Sequence, residues 1–344
     1  MAHTRGIPQL RRARRNRRLL KWVQRVGPAV LGLAAISILV VVLNPAAIGR
    51  AMMRFQLAVI PAIIVLYLLI YGLQGVRWHF LLRDAGVGFN VWQSTLLNGA
   101  GQTITAFVPL GDLTRAVFAS EASGREFGTV AATVTVQELT YNLMLILCAL
   151  PVVLAFRLGV VVVVATLLGM AAIVVILTVS RVFCRVHHLV AHIPLLNRLL
   201  PAIDELQVET AELLHRPDAL WLSVLDLARA VVAITAFWVV VQGVAPGTLD
   251  WPRAGFILAV SSIGGAVSLI PGGVGANEAS VAGLLILFGV DGGAAGAAAL
   301  IQRLMLTGMA IVLGLSSYVI VRRRFKLGGV FQITARQPTR EAAR

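Results

Sequence analysis

The residues with the clearest chemical potential in this chain are charged side chains set inside apolar runs. Glu138 falls within the apolar stretch 129–156 and Arg303 within 294–321, and each comes after a segment interrupted by Pro and Gly. An ionisable group inside a membrane span costs several kcal/mol unless it is paired or hydrated, which makes it a functional-site candidate by default. Two roles stay open for this pair: a structural link to each other, or direct contact with a polar headgroup. Glu278 closes the run Pro271-Gly272-Gly273-Val274-Gly275-Ala276-Asn277-Glu278, where it either caps the restarting helix or meets a ligand. The earlier interruption, around Pro109 and Gly111, is followed by Asp112 and Arg115, for which an interfacial ion pair is the plain alternative to a substrate role. Nothing here suggests a catalytic residue, a metal site or a cofactor. His187, His188 and His192 lie in a polar stretch without metal-ligand spacing, and Cys148 and Cys184 give neither a metal nor a disulfide pattern. No phosphate-binding loop of nucleotide type is present.

The interruptions carry their own argument. Pro lacks a backbone donor and Gly has weak helix propensity, so Pro109, Gly111, Pro271, Gly272, Gly273 and Gly275 mark places where a helix breaks. Irregular backbone at membrane depth is tolerated only where it is buried in protein or lines a water-filled cavity. Each break therefore predicts a polar cavity beside it. The helix restarting at Asn277 aims free N–H groups and partial positive charge into that cavity, which would suit an anion such as a lipid phosphate.

The elements that position these residues follow from composition. The chain has 344 residues, 58% of them hydrophobic and only 13% charged, with mean hydropathy +0.86. Apolar runs long enough to span a bilayer recur along it. The expected fold is all-α and polytopic: six transmembrane helices at 26–43, 57–75, 129–156, 159–180, 220–241 and 294–321, plus re-entrant broken segments at 89–120 and 254–290. A polar stretch, 181–218, has apolar positions at helical spacing and is expected to be an amphipathic cytoplasmic helix. Residues 1–25 and 322–344 are basic flanks. Of the thirty Lys and Arg residues, nine precede Val26 and seven follow Val321. The net charge of +15 thus sits at the ends, where it faces anionic headgroups with both termini cytoplasmic, and does not call for nucleic acid. The same bias places Arg77–Asp84 at a cytoplasmic interface. Within the spans, Gln102, Gln137, Asn142 and Gln302 are expected to bond neighbouring helices, and Asp226 and Arg229 to form a local pair.

The two halves echo one another. Ile104-Thr105-Ala106-Phe107-Val108-Pro109-Leu110-Gly111 corresponds to Val267-Ser268-Leu269-Ile270-Pro271-Gly272-Gly273, and Gln137-Glu138-Leu139 to Gln302-Arg303-Leu304. Span, broken segment, span, repeated with opposite orientation, is the inverted-repeat logic of many transporters.

At Pro271 to Ala279, with Gly289-Val290 and Gln302-Arg303-Leu304 beyond, the sequence resembles the flippase-like membrane domain of lysylphosphatidylglycerol synthases. Pro109, Gly111, Asp112 and Arg115 match the first-half pattern of that family. Two positions depart from it: Glu138, where members often carry Arg, and Asn277, where many carry a basic residue. The resemblance implies lipid handling in the cytoplasmic membrane. No segment after Arg322 is long enough for an aminoacyl-transferase domain, so aminoacylation is not expected. The expected function is a lipid transporter or flippase, not an enzyme, with Glu278, Arg303, Glu138, Arg115, Asp112 and Asn277 as candidate headgroup or transport residues. The alternatives are an accessory protein for a membrane lipid or glycan enzyme, with that enzyme as partner, and an integral lipid-modifying enzyme.

Overall fold

A computed structural model describes residues 34–105, 112–153, 221–267 and 273–325, with isolated positions between 155 and 212. Among the described residues there is no strand. The helices are α1 (Ala34–Val42), α2 (Pro45–Met53), α3 (Ile60–Asp84), α4 (Val91–Thr105), α5 (Leu113–Ser123), α6 (Phe127–Val153), α7 (Ser223–Val244), α8 (Trp251–Val267), α9 (Ala276–Leu287) and α10 (Gly292–Phe325). Of these, α3, α6, α7 and α10 are long and apolar enough to cross a bilayer. The expected span at 159–180 and the expected amphipathic segment at 181–218 fall outside the described residues, apart from isolated positions, as do Pro109, Gly111, Pro271 and Gly272.

The first apolar run meets a corner that hydropathy does not announce. Helices α1 and α2 are bent by 87° at Asn44, which adopts φ 64° and caps α2 by accepting from Ala46 N at 3.1 Å and Ala47 N at 3.4 Å. Asn tolerates the left-handed conformation, and Pro45 at the first helical position loses no hydrogen bond there. The short α2 lies on the start of α10, where Gly293 and Gly296 leave room for Ala47 and Ile48.

The remaining helices form two sets of the same design. In the first, long α3 and α6 enclose the short pair α4 and α5; in the second, long α7 and α10 enclose α8 and α9. Within each set the two short helices fold back on one another as a hairpin. Glycine permits the close approach. A side chain on Gly101 of α4 would come within 2.6 Å of Arg115 Cβ on α5, and one on Gly264 of α8 within 2.8 Å of Ser280 Oγ on α9. The described residues of the two broken segments form separate helices, α4 and α5 in the first and α8 and α9 in the second. The turn into α9 uses Gly273 at φ 62° and Gly275 at φ 87°, conformations that favour glycine.

Reciprocal packing joins the sets. Helix α4 rests on α10 while its counterpart α8 rests on α6, and α3 pairs with its own counterpart α7. That last pair is antiparallel. Gln56 N, just before α3, donates to Gly243 O near the end of α7 at 2.9 Å, whereas Arg77, late in α3, meets Asp226 at the start of α7. The two sets therefore run in opposite directions, as an inverted repeat requires.

Burial is inside-out relative to a water-soluble protein. Leu68 is 45% exposed and Val312 and Leu304 are each 61% exposed, while Arg115 and Asp226 are 0% exposed. Apolar side chains outside and charged ones inside are what a hydrocarbon solvent selects. Gly101→Val is expected to cost about 1–3 kcal/mol through overpacking of the α4–α5 hairpin. Gly72→Ala, with nothing within 4 Å of an added Cβ, is expected to be neutral or mildly stabilising. Thermal unfolding of both variants in the same detergent checks the pair.

Candidate functional site

Among the described residues, the largest polar assembly lies where α3, α4, α5, α6 and α7 meet. Helical spacing aligns its parts: Gln74, Arg77 and Trp78 share one face of α3, Asn98 and Gln102 one face of α4, and Asp226 and Arg229 one face of α7. Arg115, on α5, is at the centre. Its Nη1 donates to Asn98 Oδ1 at 2.7 Å and Gln137 Oε1 at 3.0 Å, and its Nη2 to Glu138 Oε1 at 2.8 Å. The guanidinium stands over the Trp78 ring at 5.4 Å, and the indole N–H in turn donates to Thr133 Oγ1 at 2.8 Å.

Gln74 ties the assembly together. Its Nε2 donates to Glu138 Oε1 at 3.2 Å, and its Oε1 accepts from Asn98 Nδ2 at 3.2 Å and Gln102 Nε2 at 3.3 Å. Its backbone oxygen accepts from Gln137 Nε2 at 2.8 Å. From the second set, Arg229 brings Nη1 to 3.4 Å from Glu138 Oε1 while its guanidinium covers the Tyr141 ring at 3.8 Å. One oxygen of Glu138 thus receives donors from three other helices. Beside it, Arg77 Nε pairs with Asp226 Oδ2 at 3.0 Å, and Thr140 Oγ1 donates to the same oxygen at 2.7 Å.

The second set holds a smaller arrangement. Glu278 Oε2 accepts from the N–H of Gly275, closing the first turn of α9, while Oε1 lies 3.4 Å from Arg303 Nη1. Cap and ion partner are therefore the same carboxylate. Glu278 is 1% and Arg303 15% exposed.

The two arrangements share one register with the charges exchanged. Arg115 is the third residue of α5 and Glu278 the third of α9; Glu138 is the twelfth of α6 and Arg303 the twelfth of α10. In each set, a charge just past the break is paired with an opposite charge on the following long helix. In the first set the cation is on the hairpin, and in the second set the anion is.

Several expectations change accordingly. Glu138 and Arg303 pair within their own sets rather than with each other. Arg115 turns to Glu138, and Asp112, at the start of α5 without a side-chain capping bond, acts on Arg115 and Arg229 through its charge. Asp226 and Arg229 do not form a local pair, because α3 and α6 present better partners, Arg77 and Glu138. Arg77 is no interfacial flank: at 1% exposure it is buried between α3 and α7. Asn277 sits in the first turn of α9 against Gly265. Gln102 and Gln137 do bond neighbouring helices, Gln137 as part of the Arg115 cradle, whereas Asn142 bonds the Glu138 carbonyl of its own helix. Gln74 and Asn98 carried no signal that composition or charge could reveal; their four-residue-scale register with Tyr71, Trp78 and Gln102 was the only trace. Among the described residues no cluster of His, Cys, Asp or Glu has a metal-binding arrangement.

The sequence model of the lysylphosphatidylglycerol synthase TM region matches residues 26–314. The chain belongs to that family. Comparison with curated proteins and with solved structures gives no match. As a member of the lysylphosphatidylglycerol synthase TM-region family, it is a membrane protein related to lipid biosynthesis.

The Arg77–Asp226 pair gives this family member a testable balance. Removing one partner of a buried pair strands the other charge and costs about 3–5 kcal/mol, whereas replacing both with apolar residues is close to neutral. Arg77→Met alone is expected to lower thermal stability sharply, and Arg77→Met with Asp226→Leu to recover most of it, both read as unfolding midpoints in detergent.

Proposed function

We propose that this protein is a flippase-type lipid transporter that carries a phospholipid or lipid-linked headgroup across the cytoplasmic membrane, with both termini in the cytoplasm. The observation that carries the reading is the pair of charge-exchanged contacts, one in each inverted set, each fastening a broken hairpin to a long helix. A headgroup bearing a phosphate competes for the arginine in either contact and so provides the differential interaction that opens it. Opening one contact while the other stays closed exposes the interior to one leaflet at a time, which is alternating access around an inverted repeat. The acyl chains remain in the bilayer, and only the headgroup has to be shielded from hydrocarbon. With no nucleotide-binding loop in the sequence, the movement is passive or coupled to a proton gradient. The protein binds lipid headgroups and carries out no covalent chemistry on them.

Liposomes containing the purified chain and headgroup-labelled lipid test this. Wild type is expected to speed translocation, and Arg303→Ala to slow it about tenfold or more, equivalent to ~1.4 kcal/mol on the barrier. The doubly exchanged variant Glu278→Arg with Arg303→Glu reproduces in the second set the polarity that the first set already has, and is expected to retain more activity than Arg303→Ala alone. Absence of translocation with any phospholipid overturns the proposal. Co-purification of a lipid or glycan synthase then identifies an accessory role, and turnover of lipid by the chain alone identifies an enzyme.

A further inference from the structure

We infer that the Arg115–Glu138–Arg229 cluster is a phosphodiester-binding site occupied, in this conformation, by the protein's own carboxylate. This inference rests on the carrier reading above and names the chemical group that its first set recognises.

Three observations lead to it. First, the donors converge on one point. Arg115 Nη2 at 2.8 Å, Gln74 Nε2 at 3.2 Å and Arg229 Nη1 at 3.4 Å all reach Glu138 Oε1, and they come from α5, α3 and α7. Second, the donors are fixed independently of the acceptor. Arg115 is held by Asn98 and Gln137 and stacked on Trp78, and Arg229 is stacked on Tyr141. The arginine side chains are 1% and 10% exposed, while the Glu138 side chain is 26% exposed. The acceptor is the most exposed member of the cluster, and the contacts that hold the two arginines do not depend on it. Third, the cradle is not saturated. Nε of Arg115 and Nε of Arg229 are buried without a hydrogen-bond partner among the described residues. Both arginines place an N–H on the one carboxylate of Glu138, the nearby Asp226 being engaged by Arg77 and Thr140. Asp112 adds charge at the edge of the cluster, without a side-chain capping bond at the start of α5.

A carboxylate is a partial fit to such a site. A phosphodiester carries the same single negative charge but spreads it over two non-bridging oxygens on a tetrahedral centre, so that each guanidinium can meet an oxygen of its own, whereas here both arginines share one oxygen of Glu138. Glu138 then acts as an internal competitor. It keeps the arginines charge-balanced when no lipid is bound and swings outward when a headgroup phosphate takes its place. Competition of this kind lowers apparent affinity by the fraction of time the cradle is vacant, and removing the competitor restores it.

The test is made on the full chain in a phosphate-free maltoside detergent, with short-chain phosphatidylglycerol, inorganic phosphate and chloride as probes. Glu138→Gln keeps the shape of the occupant and removes its charge; it is expected to bind short-chain phosphatidylglycerol about tenfold more tightly than wild type. The double variant Glu138→Gln with Arg115→Gln is expected to lose that gain. Glu138→Ala is expected to unfold at lower temperature than wild type and to be restored by short-chain phosphatidylglycerol. Restoration by inorganic phosphate as well shows that the site reads the phosphate itself; restoration by the lipid alone shows that it also needs the glyceryl ester. Either result supports the inference. Unchanged or weaker lipid binding by Glu138→Gln overturns it, and so does rescue of Glu138→Ala by chloride to the same extent. Translocation is not the readout. Tighter binding in a protein that moves no lipid leaves the site standing and removes the carrier reading, whereas translocation without tighter binding does the reverse.

Discussion

A guanidinium cannot shed its proton, so Arg115, with no exposure to solvent, has to be neutralised where it stands. Placing such a group in a low-dielectric interior costs several kcal/mol, and the cost is offset only when opposite charge and well-aligned acceptors surround it. Much of the first helical set can be traced to meeting that condition. Asn98 must come from α4, Gln137 and Glu138 from α6, and Trp78 from beneath on α3, which fixes the rotation of each helix about its own axis. Gln74 then orients the acceptors, since its amide serves Glu138 with one end and Asn98 and Gln102 with the other. In hydrocarbon, where apolar side chains gain little by leaving lipid, such hydrogen bonds and close backbone approach supply the specificity that a hydrophobic core supplies in water.

Close approach is the second ingredient, and it comes from glycine. Gly101 allows α5 to lie near enough to α4 for Arg115 to reach Asn98, and Gly264 does the same service for the hairpin that carries Glu278. Gly243 admits Phe55 and Val59 where the end of α7 meets the start of α3. The α3–α7 crossing is therefore held by backbone and apolar contact at one end and by the Arg77–Asp226 pair at the other.

Composition and hydropathy are enough to show an all-α membrane protein, because the bilayer imposes length and apolarity on any helix that crosses it. The two breaks are legible for a related reason: Pro and Gly runs contradict a continuous span. The matching register of Gln137-Glu138-Leu139 and Gln302-Arg303-Leu304 is also visible in the letters. Partnership is not. Which acid meets which base depends on how helices rotate and cross, and no periodicity in one strand of sequence encodes that; hence Glu138 is bound to Arg115 and Arg229 rather than to Arg303, and Asp226 to Arg77 rather than to Arg229. Uncharged polar residues are harder still. Gln74 and Asn98 look like ordinary interruptions of an apolar run, and only their neighbours in space turn them into parts of a cradle. The right-angled turn at Asn44 is hidden for a local reason, being set by one residue's left-handed backbone and not by any change in hydropathy.

The exchanged polarity of the two hairpin contacts has an electrical meaning. When inverted repeats trade conformations, equivalent parts of the two units shift in the same direction along the membrane normal. Had both hairpins carried a cation, their displacements would add, and each unit charge moved through the field would couple the switch to the transmembrane voltage by about 2.3 kcal/mol per ~100 mV. Arg115 on one hairpin and Glu278 on the other make contributions of opposite sign to that sum. On the carrier reading proposed above, movement of these two contacts would carry no net charge through the field, so that a voltage dependence would come from the headgroup moved.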